Sequence, residues 1–156
     1  MVDIVSPEKR STMMSGIRGK DTKPEIIVRK MLHSGGFRFR LHRKDLPGKP
    51  DIVLHKYRSV IFVNGCFWHG HENCRLYRLP KSQQEFWETK VSTNIARDQR
   101  KIAELTVSGW KVITVWECAL KGSAALGNGK LLSQISAALT GRDTKTDIRS
   151  TLFLER

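Results

Sequence analysis

The stretch DIVLHKYRSVIFV, residues 51–63, contains two short apolar runs on either side of the polar segment Lys56-Tyr57-Arg58. Two such runs joined by a tight polar turn are typical of an antiparallel hairpin. We therefore predict strands at residues 51–54 and 59–63. This pairing brings Asp51 close to Val63 and Asn64, at the far end of the second strand.

The residues after the hairpin predict a helix and then a further strand. Apolar residues recur with helical spacing from about Gln83 to Ser108, and Gly109 follows them. The run WKVITVW, residues 110–116, is the most strand-like in the chain and predicts a central strand, with Trp110 and Trp116 in the core. A helix between two strands places them parallel in one sheet, so the fold class is α/β. A last helix is predicted over residues 131–139, and residues 141–156 are assigned to a tail.

The residues before the hairpin predict two helices and one strand. Ser6-Pro7 opens a helix to about Ser15, and residues 16–20 form a basic hinge. The sequence TKPE, residues 22–25, matches a capping box, so a second helix should run to Ser34 and end at the two glycines that follow. FRFRL, residues 37–41, alternates apolar and basic side chains, as a strand with one solvated face does.

The charge of the chain favours a polyanionic partner. There are 28 Lys and Arg residues against 15 Asp and Glu, a formal net charge of +13. Basic side chains that neutralise phosphates release condensed counterions, so nucleic acid is the expected partner, with an anionic membrane surface as the alternative. The length of 156 residues suits one domain. There is no apolar run long enough for a membrane span and no signal-peptide pattern at the N-terminus, so a cytoplasmic location is expected.

A cluster of metal-ligand residues follows the hairpin. Cys66, His71 and Cys74 lie within nine residues, and Cys118 follows the strand at 110–116. Together they form a Cys3His set, which is typical of a closed, structural zinc site. Two alternatives stay open: the cysteines are ordinary buried residues, or His69 replaces His71 as the ligand.

Asp51 and His69 are candidates for catalytic chemistry. A carboxylate at a strand start, close to backbone carbonyls, can hold Mg²⁺, which prefers oxygen ligands. A histidine can take a proton from water near neutral pH. The alternative for Asp51 is a turn-forming aspartate after Pro50.

Several blocks of the sequence resemble the very-short-patch repair (Vsr) DNA mismatch endonucleases. The blocks are LPGKPDIVL, YRSVIFVNGCFWHGHENC, EFW, KVSTNIARDQR and GWKVITVWECAL, and the resemblance covers about residues 11–120. It implies a restriction-endonuclease-like mixed sheet flanked by helices, with a structural zinc site. It also implies a Mg²⁺-dependent enzyme that nicks 5′ to the T of a T:G mismatch formed by deamination of 5-methylcytosine.

The resemblance also assigns roles to individual residues. Asp51 and the main-chain carbonyl of Val63 would bind Mg²⁺, His69 would be the general base, and Glu25 would help to order the hydrated metal, in competition with its capping-box role. The zinc ligands would be Cys66, His71, Cys74 and Cys118. The chain departs from the family at Asn64, where members commonly have histidine, and in a loop one residue longer between His71 and Cys74.

The aromatic residues beside the cluster are predicted to enter DNA. Phe67 and Trp68 form a rigid pair on a loop that zinc would pin, and such a pair can unstack base steps. In the Vsr family the residues that match Phe67, Trp68 and Trp87 intercalate beside the mismatch. The alternative is that Trp68 and Trp87 pack in the core.

The basic residues are candidate phosphate contacts, and they are Arg18, Lys20, Lys23, Lys90, Arg97 and Arg100. The expected partner is double-stranded DNA with a mismatch; mismatch-repair proteins and a linked cytosine methyltransferase are further candidates, and a monomer is expected. Two rival functions are a restriction-type nuclease for matched DNA and a non-catalytic zinc-stabilised DNA-binding module. An RNA-binding or structural protein is a third.

Overall fold

The computed structural model describes residues 22–121 and 125–150, which form a five-stranded mixed sheet with helices on both faces. The elements are α1 (Lys23–Ser34), β1 (Arg40–Leu41), β2 (Ile52–Leu54), β3 (Ser59–Asn64), α2 (Gln84–Val107), β4 (Lys111–Trp116), α3 (Asn128–Thr140) and β5 (Lys145–Ile148). Single 3-10 turns follow β2 and β4. The helix predicted at residues 6–15 and the hinge at 16–20 lie outside the described residues.

The strands lie in the order β1-β2-β3-β4-β5. The hairpin prediction is confirmed, because β2 and β3 are antiparallel with Ile52 opposite Ile61. The predicted parallel crossover is also confirmed, since α2 connects β3 to β4 and Asn64 lies opposite Trp116 at the end of that pair. The fold class is α/β, as the sequence predicts.

The sheet is buried on both faces. One face packs against α1 and α3, where Leu32 and Ile135 meet strand residues such as Ile61. The other face carries Val60 and its neighbours, which pack against Leu105 of α2. Alternate residues of each central strand therefore face different helices, which explains why β2 has three consecutive fully buried residues.

The two predicted core tryptophans differ in burial. Trp110 is buried, and the Arg58 guanidinium lies 5.0 Å from its ring centroid. Trp116 is half-buried and its indole Nε1 donates a hydrogen bond to Asp147 at 3.2 Å. Trp110 therefore belongs to the core, whereas Trp116 packs at the edge of the cysteine cluster.

Three boundaries differ from the predictions. The strand expected at 37–41 is reduced to Arg40–Leu41, because Phe37 and Phe39 pack against the main core instead of pairing. The last helix begins at Asn128, three residues earlier than expected.

The third difference concerns the C-terminal segment. Residues 145–148 of the expected tail form β5, parallel to β4, and Ile148 is buried. The sequence KTDI has one apolar residue in four, so no hydrophobic alternation announces this strand. Within residues 22–121 and 125–150, no helix combines the length and the apolar character that a membrane crossing requires.

Candidate active site and metal centre

The candidate site lies at the edge of the sheet where β3 and β4 end together. Because the two strands are parallel, the segments that follow Asn64 and Trp116 leave the sheet side by side. The first segment carries residues 65–74 and the second carries Cys118, so the topology joins parts of the chain that are distant in sequence. Ligand sites commonly lie at such carboxyl ends of parallel strands.

Four buried side chains converge at this edge, and they are Cys66, His71, Cys74 and Cys118. Their ligand atoms all lie within 4.8 Å of one another. His71 Nδ1 is 3.4 Å from Cys66 Sγ and 3.7 Å from Cys118 Sγ. Tetrahedral zinc bonds to sulfur and nitrogen give an S–N separation of about 3.6 Å. The set therefore fits a zinc ion, and we call these four residues the metal centre.

Two thiol groups of the metal centre, Cys66 and Cys118, have pKa values that are shifted in opposite directions. A hydrogen bond with Cys66 lowers the pKa of the Cys118 thiol, as do hydrogen bonds from His71 and from the Ser150 N–H, although burial opposes them. The bond shared with Cys118 raises the pKa of Cys66. Zinc binds thiolates, so a bound ion would take the place of the thiol protons.

The loop of the metal centre is held in place by its neighbours. The His71 ring stacks on Trp116 with centroids 3.9 Å apart and planes 2° apart. Arg149 donates to the carbonyl of Asn73 at 2.9 Å, and Asn73 has a left-handed φ of 53°. This turn brings Cys74 back to the other ligands, so the loop accommodates the additional residue that the resemblance indicated.

Asp51 precedes β2 and lies beside the end of β3. Its Oδ2 accepts a 2.8 Å hydrogen bond from the Val63 N–H, as the hairpin requires. Burial raises the pKa of the Asp51 carboxyl, although the Val63 N–H and the charges of His42, His69 and Arg29 oppose the rise. A partly buried carboxylate is suited to a divalent cation, because its negative charge is poorly solvated.

His69 is paired with an acid that the sequence analysis missed. Its Nδ1 lies 2.5 Å from Asp98 Oδ2, and both side chains are partly exposed. Asp98 falls on the apolar stripe of α2 formed by Val91, Ile95, Ile102 and Leu105. An acid at a position that helical periodicity reserves for core residues was the signal that could have identified it.

The structure separates the two histidines of the loop. His71 faces the sulfur atoms, whereas His69 faces Asp98, so the described geometry favours His71 as the metal ligand. Gly70 lies between them with φ +58°, and a Cβ there would stand 2.5 Å from Ile95 Cδ1 and 2.8 Å from Val91 Cγ1. Only glycine lets the loop approach α2 closely enough to turn the two rings in different directions.

An open cavity of about 770 Å³ lies between Asp51 and the pair His69–Asp98, and we call it the nuclease pocket. Asp51, Asn64 and His69 all line it. Basic side chains line the same walls, namely Lys44, Lys49, Arg97 and Lys101. The pocket therefore combines a carboxylate, an imidazole and positive charge, as a phosphodiester requires.

Glu25 is placed close to this pocket by α1. Thr22 Oγ1 accepts the Glu25 N–H at 3.4 Å, so one half of the predicted capping box is present. The Glu25 carboxylate, only 2 % exposed, instead forms an ion pair with Arg29 and lies 3.0 Å from His42 Nε2. Its ligand atom is within 4.8 Å of those of His42 and Asp51. The Glu25 side chain thus lies close to Asp51, and His42 is a second residue that the sequence analysis missed.

The predicted DNA-intercalating residues form one aromatic cluster. Ring centroids are 5.2 Å apart for Phe67 and Trp68, 5.6 Å for Phe67 and Trp87, and 5.8 Å for Trp68 and Trp87. Phe67 and Trp68 are partly exposed, but Trp87 is 4 % exposed beneath them. Trp87 therefore supports the other two rings in this structure, and its entry into DNA stays a prediction. Phe86, which is 53 % exposed, stands next to it.

The predicted phosphate contacts lie at the surface where they are described. Lys23, Lys90, Arg97 and Arg100 are all exposed, and Arg97 also lines the nuclease pocket. Arg18 and Lys20 lie outside the described residues.

Comparison with known proteins identifies the family. A family model described as DNA mismatch endonuclease Vsr matches residues 2–75. The chain is 38 % identical to the DNA mismatch endonuclease Vsr of Escherichia coli over 95 % of its own length and 94 % of the relative. The chain belongs to the Vsr family. The chain is also 56 % identical to the Type II nicking enzyme V.XorIIP of Xanthomonas oryzae, over 81 % of this chain and 92 % of that protein.

A second nicking enzyme and one solved structure extend the comparison of this Vsr-family chain. It is 50 % identical to the Type II nicking enzyme V.NmeAIP of Neisseria meningitidis, over 80 % of this chain and 88 % of that protein. The catalytic domain of the homing endonuclease I-Bth0305I aligns with a TM-score of 0.50 at 22 % identity, covering 76 % of this chain and 94 % of that domain. This last likeness is one of fold alone.

Proposed function

We propose that this Vsr-family protein is a DNA endonuclease that nicks one strand on the 5′ side of the T in a T:G mismatch. Its substrate would arise by deamination of 5-methylcytosine. The names of its relatives, which are nicking and mismatch endonucleases, support this function. The single observation that carries the chemistry is an imidazole, held by a carboxylate, that lines one pocket together with the partly buried Asp51.

His69 acts as the general base in this proposal. Asp98 Oδ2 accepts a hydrogen bond from the Nδ1–H group, which orients the ring and leaves Nε2 free to accept a proton. Nε2 takes a proton from water as the water oxygen bonds to phosphorus. The bond from phosphorus to the 3′ oxygen breaks, and the departing oxygen gains a proton from solvent. The products are a 3′-hydroxyl and a 5′-phosphate.

Asp51 is the principal magnesium ligand in this proposal. The Asp51 carboxylate, the Val63 carbonyl and Glu25 offer oxygen atoms, which Mg²⁺ prefers. When bound, Mg²⁺ would stabilise negative charge on the scissile phosphate. The Val63 N–H fixes the position of the Asp51 carboxylate. Because burial raises the pKa of Asp51, a bound cation would help the carboxylate to stay charged.

Zinc at the metal centre would stiffen the loop that carries the functional residues. Cys66, His71, Cys74 and Cys118 would hold it with no position left for water, so its role would be structural. Phe67, Trp68 and His69 lie between two of these ligands. One anchored peptide would thus position both the aromatic wedge and the general base.

The aromatic wedge accounts for preference for a mismatch. Phe67 and Trp68 are partly exposed above Trp87, which gives them a rigid base. Rings pushed between base steps cost a few kcal/mol of stacking, and a mismatched pair is cheaper to distort. The exposed Lys90, Arg97 and Arg100 on α2 are then placed to contact phosphates.

The experiment is a nicking assay with labelled duplexes that differ in one base pair. Wild-type protein with Mg²⁺ is expected to cut the T strand of a T:G duplex and to leave the matched duplex intact. Asp51→Ala should abolish cutting, and Asp98→Asn should reduce it about ten- to a hundredfold. Equal cutting of both duplexes would support a restriction-type nuclease instead, and salt-sensitive binding without cutting would support a DNA-binding module.

A further inference from the structure

A histidine stands beside Glu25 and Asp51, close to the nuclease pocket. His42 follows β1, and its N–H donates to the Asp51 carbonyl at 3.2 Å, which continues the pairing of β1 with β2. The His42 side chain is 21 % exposed, and its ligand atom lies within 4.8 Å of those of Glu25 and Asp51. The backbone of His42 has a left-handed φ of 51°, an uncommon conformation outside glycine. The fold therefore holds this imidazole at a defined place.

The separations suit one cation. His42 Nε2 is 3.0 Å from Glu25 Oε2. Two adjacent ligands of an octahedral ion with bonds of about 2.1 Å lie about 3.0 Å apart. A single ion can therefore contact both atoms directly. Asp51 is within reach as a third ligand.

We propose that His42 Nε2 is a direct ligand of the divalent cation in the nuclease pocket and makes that site prefer Mn²⁺ to Mg²⁺. The inference rests on the proposed function only in locating a cation at Asp51. Mg²⁺ favours sites made of oxygen alone, whereas first-row transition ions accept imidazole nitrogen readily. The added nitrogen thus gives the site a larger difference in affinity between Mn²⁺ and Mg²⁺ than a site made only of carboxylates would have.

Arg29 competes with the cation for the same atoms. Its guanidinium forms an ion pair with Glu25 and lies 3.0 Å from His42 Nε2. A cation bound between Glu25 and His42 must displace this group, and the two positive charges repel each other. Removing the guanidinium should therefore strengthen metal binding, whereas removing the imidazole should weaken it.

The test measures metal binding directly on protein that already carries zinc. Isothermal titration gives the affinities for Mn²⁺ and Mg²⁺, and electron spin echo modulation of bound Mn²⁺ detects a ¹⁴N ligand. Wild type should bind Mn²⁺ more tightly than Mg²⁺ and give ¹⁴N modulation. His42→Gln should lose that modulation and about tenfold or more in Mn²⁺ affinity, with a much smaller change for Mg²⁺. Arg29→Gln should bind both ions more tightly.

His33→Gln is the matched control, because His33 is an exposed histidine in the last turn of α1. It should behave as wild type does. His42→Gln protein that keeps both the ¹⁴N modulation and the wild-type Mn²⁺ affinity would overturn the proposal. A wild-type protein that shows the nitrogen ligand but cuts no duplex would support this inference while refuting the nuclease function. If His42→Gln protein cuts the duplex and keeps the wild-type metal preference, the result would support the nuclease function and refute this inference.

Discussion

The metal centre and the nuclease pocket share one loop but differ in their access to solvent. His71 in the metal centre is 5 % exposed and stacks on Trp116. His69, two residues earlier, has 26 % of its side chain exposed and pairs with an acid from α2. The buried cluster can fix a structure but cannot admit DNA, whereas the open pocket can admit a phosphate but needs support. The difference teaches that one peptide can carry a buried residue that fixes the structure and, two positions away, a partly exposed residue that is accessible to reactants.

The largest expected effect is on the buried region. Cys118→Ser removes one of four ligands and unties the loop from the end of β4. Loss of a structural metal should lower stability on the order of 5 kcal/mol, or roughly 10–20 °C in Tm. Zinc content by elemental analysis, thermal melting and nicking should all fall together. A variant that lost zinc but kept wild-type Tm and activity would show that the two regions are independent.

His69→Ala should impair the nuclease pocket and leave the metal centre intact. Loss of a general base typically lowers the rate about 10²- to 10⁴-fold. Zinc content and Tm should match wild type, because His69 faces Asp98 rather than the thiols. The measurement is single-turnover nicking at saturating protein, with His33→Ala as the control at an exposed site. A fall in zinc content would assign His69 to the metal centre instead.

Gly70→Ala should affect the boundary between the regions. The new methyl group would meet Ile95 and Val91 of α2 in a backbone conformation of φ +58°. Overpacking of this kind costs about 1–3 kcal/mol and should shift His69 away from Asp98. Thermal melting and nicking report the two consequences. Gly127→Ala is the matched control, since its φ is not positive and no atom lies within 4 Å of its added Cβ.

Asp51→Asn should give a small change in stability that is opposite in sign to those of Cys118→Ser and Gly70→Ala. Burial raises the folded-state pKa of Asp51 above its unfolded value. The carboxylate therefore destabilises the fold above the folded pKa, and this penalty vanishes as pH falls below the unfolded pKa of about 3.9.

Asparagine removes that penalty while keeping an acceptor for the Val63 N–H. Without added Mg²⁺, Tm should rise by roughly 1–4 °C at neutral pH, and the gain should shrink toward pH 4. Nicking should be lost at every pH. A lower Tm at neutral pH would mean that the positive neighbours outweigh burial.

The two regions also differ in how far the sequence predicts them. Cys66, His71 and Cys74 lie within nine residues, so their spacing alone indicates a metal site, and the strong strand before Cys118 locates the fourth ligand. The hairpin placed Asp51 beside Val63 for a similar reason, since strand pairing is local there.

The apolar stripe of α2 marks Asp98 as unusual, but only the packing of that helix brings it to His69. His42 comes close to Asp51 only through the pairing of β1 with β2, which no local pattern contains. β5 was missed because parallel pairing and one buried isoleucine, rather than alternation, hold it in the sheet.

A zinc ion at the metal centre would also cross-link two segments that are distant in sequence. It would join Cys66, just after β3, to Cys118, just after β4, and so close into a ring all of α2 with its acid, Asp98. A cross-link that closes a loop of about fifty residues restricts the unfolded chain by about 4 kcal/mol. Thiol oxidation or chelation would open this ring. The helix that carries Asp98, the partner of the proposed general base, would then be held only by its packing and by the pairing of the strands on either side of it.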